Sequence, residues 1–134
     1  MKTHRFFILL TLLAVLFSLA ACAPSPKVSN FYMAKDNQGA NPTTTFAPTD
    51  AFNLFFDVNG VQAGTAFETR WYVFNVPGHD SNTPFKTVDE TYTSGSSTLL
   101  FHLTNTVSWP IGQYRVDVYM SGNKVGAVPF SVAP

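Results

Sequence analysis

The chain has 134 residues, eight Lys/Arg against eight Asp/Glu, one Cys and a 46% hydrophobic composition. That length holds one ordinary domain. Balanced charge supplies no basic footprint for nucleic acid, and a lone cysteine excludes an intrachain disulfide framework.

The N-terminus reads differently from the rest. Lys2 and Arg5 form a basic start, and Phe6 to Leu19 runs apolar apart from Thr11 and Ser18. Small residues follow at Ala20 and Ala21, completing the order of a secretory signal. A transmembrane helix is the rival, but spanning a bilayer takes about 20 apolar residues. The run stops short of Cys22, and Pro24 and Pro26 block any helical continuation.

Leu19-Ala20-Ala21-Cys22 resembles the lipobox of bacterial lipoproteins, placed at the end of the apolar run and occupied by the one cysteine. The resemblance implies cleavage before Cys22, acylation of its thiol, and a membrane partner reached through the acyl chains. Each buried methylene contributes about 0.8 kcal/mol, so two or three chains anchor where one holds marginally. Ala23 stands where an Asp would resemble an inner-membrane retention signal. The expected location is the cell envelope: the outer membrane of a two-membrane bacterium, otherwise the outer face of the plasma membrane. The chain then divides into a signal peptide (1–21), a lipidated tether (22–29) and a domain (30–134). Beyond the signal, Lys27, Lys35, Arg70, Lys86, Arg115 and Lys124 face eight carboxylates, so the net charge is 6 − 8 = −2.

From Val28 onward the pattern is strands of period two separated by Gly, Pro, Asn and Asp clusters. A first strand covers Val28 to Ala34. Residues 36–50 are turn-rich, with Phe46 dipping inward. Phe52, Leu54, Phe56 and Val58 alternate with Asn53, Phe55 and Asp57 in a second strand, closed by the turn Asn59-Gly60. A third runs from Ala66 to Val76 around Trp71, residues 77–83 form a loop, and Phe85 to Thr93 reads as a short strand. After Ser94-Gly95-Ser96, Leu99, Phe101 and Leu103 mark the next strand. Trp109-Pro110-Ile111-Gly112 is a corner into a strand with Tyr114, Val116, Val118 and Met120 on one face. Gly122-Asn123 turns into a last strand to Val132, where Pro129 suits an edge or bulge. Seven strands at spacings of about 8–12 residues predict an all-β, antiparallel sandwich following the signal helix.

The Trp on the third strand, with Gly112-Gln113-Tyr114-Arg115-Val116-Asp117-Val118 entering the sixth, resembles the immunoglobulin/fibronectin-III superfold. The likeness covers Val28 to Val132 and lacks the antibody cysteine pair. It implies Trp71 as the central indole and Tyr114 as a tyrosine corner whose hydroxyl bonds back to the preceding turn. Fold by itself assigns no function.

Catalytic groups are sparse, and the expectation is a non-enzyme without cofactor or metal. His102 alternates out of an apolar strand face. His79-Asp80 stands on a loop without the further ligands that zinc needs. Asp57-Val58-Asn59-Gly60 lacks the later acid of a calcium loop. Asp89 and Glu90, as strand neighbours, point to opposite faces. The more informative surface is the outer sheet face. Alternation turns Arg70, Tyr72 and Phe74 outward on the third strand, and Arg115, Asp117 and Tyr119 outward on the sixth; the immunoglobulin-like resemblance implies that these two strands are neighbours. Tyr72, Phe74, Arg115 and Tyr119 thus form a candidate binding face of hot-spot composition, against the plainer reading of cross-strand pairs that stabilise a solvated sheet. The expected role is a lipid-anchored envelope module presenting this domain to a protein or glycan partner, with no nucleic acid. The alternatives are a structural accessory lipoprotein, or a protease inhibitor acting through loop 77–83.

Overall fold

Strictly alternating side chains need a partner layer on their apolar side, and two sheets supply it to each other. The computed structural model describes residues 24–134. The signal segment 1–21 and Cys22 lie outside the described residues. Eight strands follow one another: β1 (Lys27–Ala34), β2 (Thr45–Phe46), β3 (Phe52–Asn59), β4 (Ala66–Phe74), β5 (Lys86–Thr91), β6 (Thr98–Leu103), β7 (Gly112–Met120) and β8 (Asn123–Val132). They form a three-stranded sheet, β1-β3-β6, packed on a five-stranded sheet, β2-β8-β7-β4-β5.

The expected seven strands become eight because the turn-rich stretch 36–50 yields the two-residue β2. The pairing is antiparallel except there, where Thr45 and Phe46 run parallel to Ser131 and Val132. Two residues of pairing are too short to leave a period-two signal. β1 begins at Lys27, one residue before the expected Val28. The last turn is centred on Ser121-Gly122 rather than Gly122-Asn123: both residues have positive φ, as a type I′ hairpin turn requires.

The core is built on aromatic rings. Trp71 is fully buried, with its ring stacked on Phe52 at 6.2 Å and edge-on to Phe130 at 6.1 Å. Its indole N–H donates to Thr69 Oγ1 at 3.0 Å, which explains a fully buried threonine on an apolar face. Trp109, read from the sequence only as a corner, stacks on Phe52 at 4.5 Å. It donates its indole N–H to the Asp50 carbonyl at 2.8 Å, clamping the β6–β7 connection to the β2–β3 turn. The Tyr114 hydroxyl donates to the Pro110 carbonyl at 2.7 Å, four residues back, as a tyrosine corner does. Burial pushes that phenol up to about 12.

The sheet edges are each handled differently. β1 carries a bulge where its register shifts between Ser29 and Tyr32, with Asn30 at φ 53° and its amide donating to Asp57 Oδ2 at 2.7 Å. β5 is charged and exposed, and β8 is open to solvent at Pro129 because β2 covers only its last residues. Outside the small sheet, loop 36–41 folds back over the stacked rings of Tyr32 and Phe55. The Asp36 carboxylate holds that loop by accepting from the backbone N–H groups of Gln38, Ala40 and Asn41 and from the Asn41 amide. These bonds hold its carboxyl down at about 2. Gly39, at φ +73°, is required at the crossing: a Cβ there would lie 2.5 Å from the Tyr32 hydroxyl.

Candidate functional site

The β4–β7 register sets the candidate face. Tyr72 stands opposite Arg115, Phe74 opposite Gln113, Arg70 opposite Asp117 and Glu68 opposite Tyr119. All four sequence-named residues therefore share one surface of the five-stranded sheet, as two groups rather than one continuous patch.

In the first group, the Arg115 guanidinium lies over the rings of Tyr72 at 4.8 Å and Phe74 at 5.2 Å. Arg115 also donates from Nε at 2.7 Å and Nη2 at 3.1 Å to the two carboxylate oxygens of Asp117. Lys124 Nζ reaches Asp117 Oδ2 at 3.0 Å. This ladder buries Asp117 and leaves Tyr72 only 8% exposed, although both point away from the core. The Tyr72 ring is thus a platform for Arg115, with its face already occupied. Alternation gave the direction of these side chains; the covering came from their neighbours' length and charge.

The second group lies two rows away. Arg70 stacks its guanidinium over Tyr119 at 4.2 Å and pairs with Glu68, which sits beside it on the same strand face. Across the other edge of β4, Glu68 stands directly opposite Asp89 of β5. Glu68, Arg70, Asp89 and Tyr119 line an open groove of about 250 Å³. Two carboxylates directly opposite each other on adjacent strands repel, and one arginine lies among them. The i, i+2 spacing of Glu68 and Arg70 puts both on this face, a signal present in the sequence, but the opposition of Glu68 to Asp89 needs the strand register.

The remaining candidates are dispersed. His102 Nδ1 lies 2.6 Å from Asn53 Oδ1, and the Asn53 amide donates to the Ala34 carbonyl at 3.1 Å. That chain satisfies the buried Asn53 on the outer side of the small sheet, on the opposite face of the molecule from the groove. His79 borders a small apolar cleft with Phe85, Trp109 and Tyr114. Asp80 caps its own loop, accepting from Asn82 N and Thr83 Oγ1, and those bonds hold its carboxyl below the usual range. Among the described residues no group of three or more His, Cys, Asp or Glu is placed to hold a metal ion. Asp89 and Glu90 point to opposite sides, one pairing with Glu68 and the other with Phe67.

No protein-family model matches the chain, and no curated protein matches it. Solved structures do match in shape. One is the alkylpurine DNA glycosylase AlkC of Pseudomonas fluorescens, bound to DNA containing an abasic-site analogue. It has a TM-score of 0.56 and 14% identity over 81% of this chain, which spans only 30% of the glycosylase chain. Another is an immunoglobulin-like protein of Pseudomonas aeruginosa, with a TM-score of 0.53 and 11% identity over 84% of this chain and all of that one. Identities this low speak to fold alone. With a three-on-five pair of sheets, a central indole and a tyrosine corner, the chain is an immunoglobulin-like β-sandwich.

Proposed function

We propose that this is a lipid-anchored, non-catalytic module of the bacterial cell envelope that binds a protein or glycan partner through the outer face of its larger sheet. Support for the anchor is the sequence Leu19-Ala20-Ala21-Cys22 at the end of an apolar run. Support for binding is one observation: Glu68 opposes Asp89 across the β4–β5 pair, in an exposed groove floored by the Arg70–Tyr119 stack. Glu68 is paired with Arg70, while Asp89 opposite it pairs with no cation among the described residues and is open to a partner from outside. An aromatic edge with carboxylates and a guanidinium suits sugar hydroxyls or a basic side chain. A net charge of −2 beyond the signal argues against a nucleic acid partner.

The site is tested by replacing Thr91, an exposed residue at the groove's edge, with a photo-crosslinking amino acid in cells, then combining this with Glu68→Gln and Tyr119→Ser. Discrete adducts that vanish in the combined variants are expected, and protease or glycosidase treatment of the adduct separates protein from glycan. Adducts indifferent to both substitutions would remove the groove from the reading. For the anchor, Cys22→Ser is expected to release the protein from the membrane fraction; unchanged partitioning would refute it.

A further inference from the structure

The two poles of the sandwich differ in charge. One gathers the start of the described chain, the β3–β4 connection, the β5–β6 connection and the β7–β8 turn. Its connecting segments, 24–26, 60–65, 92–97 and 121–122, contain no Asp, Glu, Lys or Arg, and the exposed Lys27, opposite Asn59 at the start of β1, borders them. They are knit together by backbone bonds: Gly64 N to the Tyr92 carbonyl at 2.7 Å, Tyr92 N to the Thr65 carbonyl at 2.9 Å and Ser121 N to the Ala66 carbonyl at 2.9 Å. Pro24 and Ser25 run against Gly60, where an added Cβ would meet the Ser25 carbonyl at 3.3 Å, and Pro24 to Pro26 line a groove shared with Gln62 and Ser121. The opposite pole carries Lys35, Asp36, Asp50 and Asp80 in its connections, a net of 1 − 3 = −2. All three aspartates have carboxyls held below the usual range by hydrogen bonds, so they stay anionic.

We propose that the pole bearing Pro24, Lys27, the β3–β4 connection and the β7–β8 turn, whose connections carry no acidic residue, is a lipid-facing surface, seated on phospholipid headgroups. This rests on acylation of Cys22, as proposed above. Cys22 precedes Pro24 by two residues, a reach of at most about 7 Å, and Pro24 is already packed against this pole. No stalk intervenes, so the diacylglycerol and the pole meet the interface together. A bilayer containing anionic phospholipid accepts the pole bearing Lys27 and repels the acidic one, within a screening length of about 8–10 Å. The domain stands upright, its long axis of roughly 30 Å, nine residues of strand, along the membrane normal. The loops at the tethered pole are then withdrawn from partners, and the Glu68/Asp89 groove, whose lining runs down to Ala66, Thr91 and Gly122, opens sideways just above the headgroups.

The full-length protein, purified from membranes, is reconstituted into phosphatidylethanolamine/phosphatidylglycerol vesicles containing a lipid with a nitroxide on its headgroup. A fluorophore is attached at Ala63→Cys or Gln62→Cys on the tethered pole, and at Val107→Cys on the opposite one, all three exposed. Several-fold stronger quenching at positions 62 and 63 than at 107 is expected. Equal quenching at both poles, or stronger quenching at 107, in protein that floats with the vesicles overturns the orientation and leaves the anchor intact. Protein that fails to float, and whose Cys22 takes up the fluorophore without any added cysteine, overturns the anchor and the orientation together.

Discussion

Single side chains carry an unusual share of this fold. Trp71 touches both layers, stacks on Phe52 and bonds Thr69. Replacing a buried Trp with Ala typically costs about 3–5 kcal/mol, against a total of about 5–15 kcal/mol for a small domain. Trp71→Ala is therefore expected to remove about a fifth or more of the stability, read by chemical unfolding; a loss under about 1 kcal/mol would contradict the burial. Arg115 illustrates the opposite lesson. Its outward direction follows from alternation, but its position opposite Tyr72 comes from register, and its guanidinium stacks on two rings and forks onto Asp117.

Among elements, the contact between β1 and β8 closes one side of the sandwich, and it depends on a missing side chain. The Phe31 ring lies against Gly126, where an added Cβ would come within 2.5 Å of the ring. Gly within a strand commonly marks such a close approach. Overpacking typically costs about 1–3 kcal/mol, so Gly126→Ala is expected to destabilise by that order and to speed amide exchange in β1. Unchanged exchange in β1 would show that Phe31 has room to move.

For the molecule as a whole, ionisable groups define the pH range of stability. The carboxyls of Asp36, Asp50, Asp57 and Asp80 are held below their ordinary value, chiefly by hydrogen bonds, with Asp36 at about 2. A depressed carboxyl contributes stability that is present above its unfolded pKa and lost as pH falls through the folded one. Tyr114 works in the other direction: raised to about 12 by burial, it contributes below its unfolded value and loses that contribution as pH rises through about 12. The melting temperature is expected to be flat between about pH 5 and 9, to fall in acid from about pH 4 toward 2, and to fall again in strong alkali. Tyr114→Phe should remove the phenolate absorbance appearing near pH 12. A domain whose melting temperature still rises between pH 4 and 2 would contradict the Asp36 geometry.

Most of the sandwich is legible in the order of residues along the chain. Period-two alternation fixes which side chains face inward, and Trp71, Tyr114 and the β3, β4, β6 and β7 apolar rows all lie where that period put them. Turn residues fixed most connections, since positive φ at Gly60, Gly95 and Gly122 is a local demand. What alternation cannot supply is register. β2 came from pairing with a strand far along the chain, and Trp109's clamp from a turn on the other side of the core. The opposition of Glu68 to Asp89 came from the β4–β5 register. The division of charge between the poles also needed the folded chain, because connections scattered through the sequence meet only once the strands are laid side by side. Local conformational preference is written in neighbouring residues; the company a side chain keeps across a sheet is decided by the packing that minimises exposed apolar surface over the whole domain.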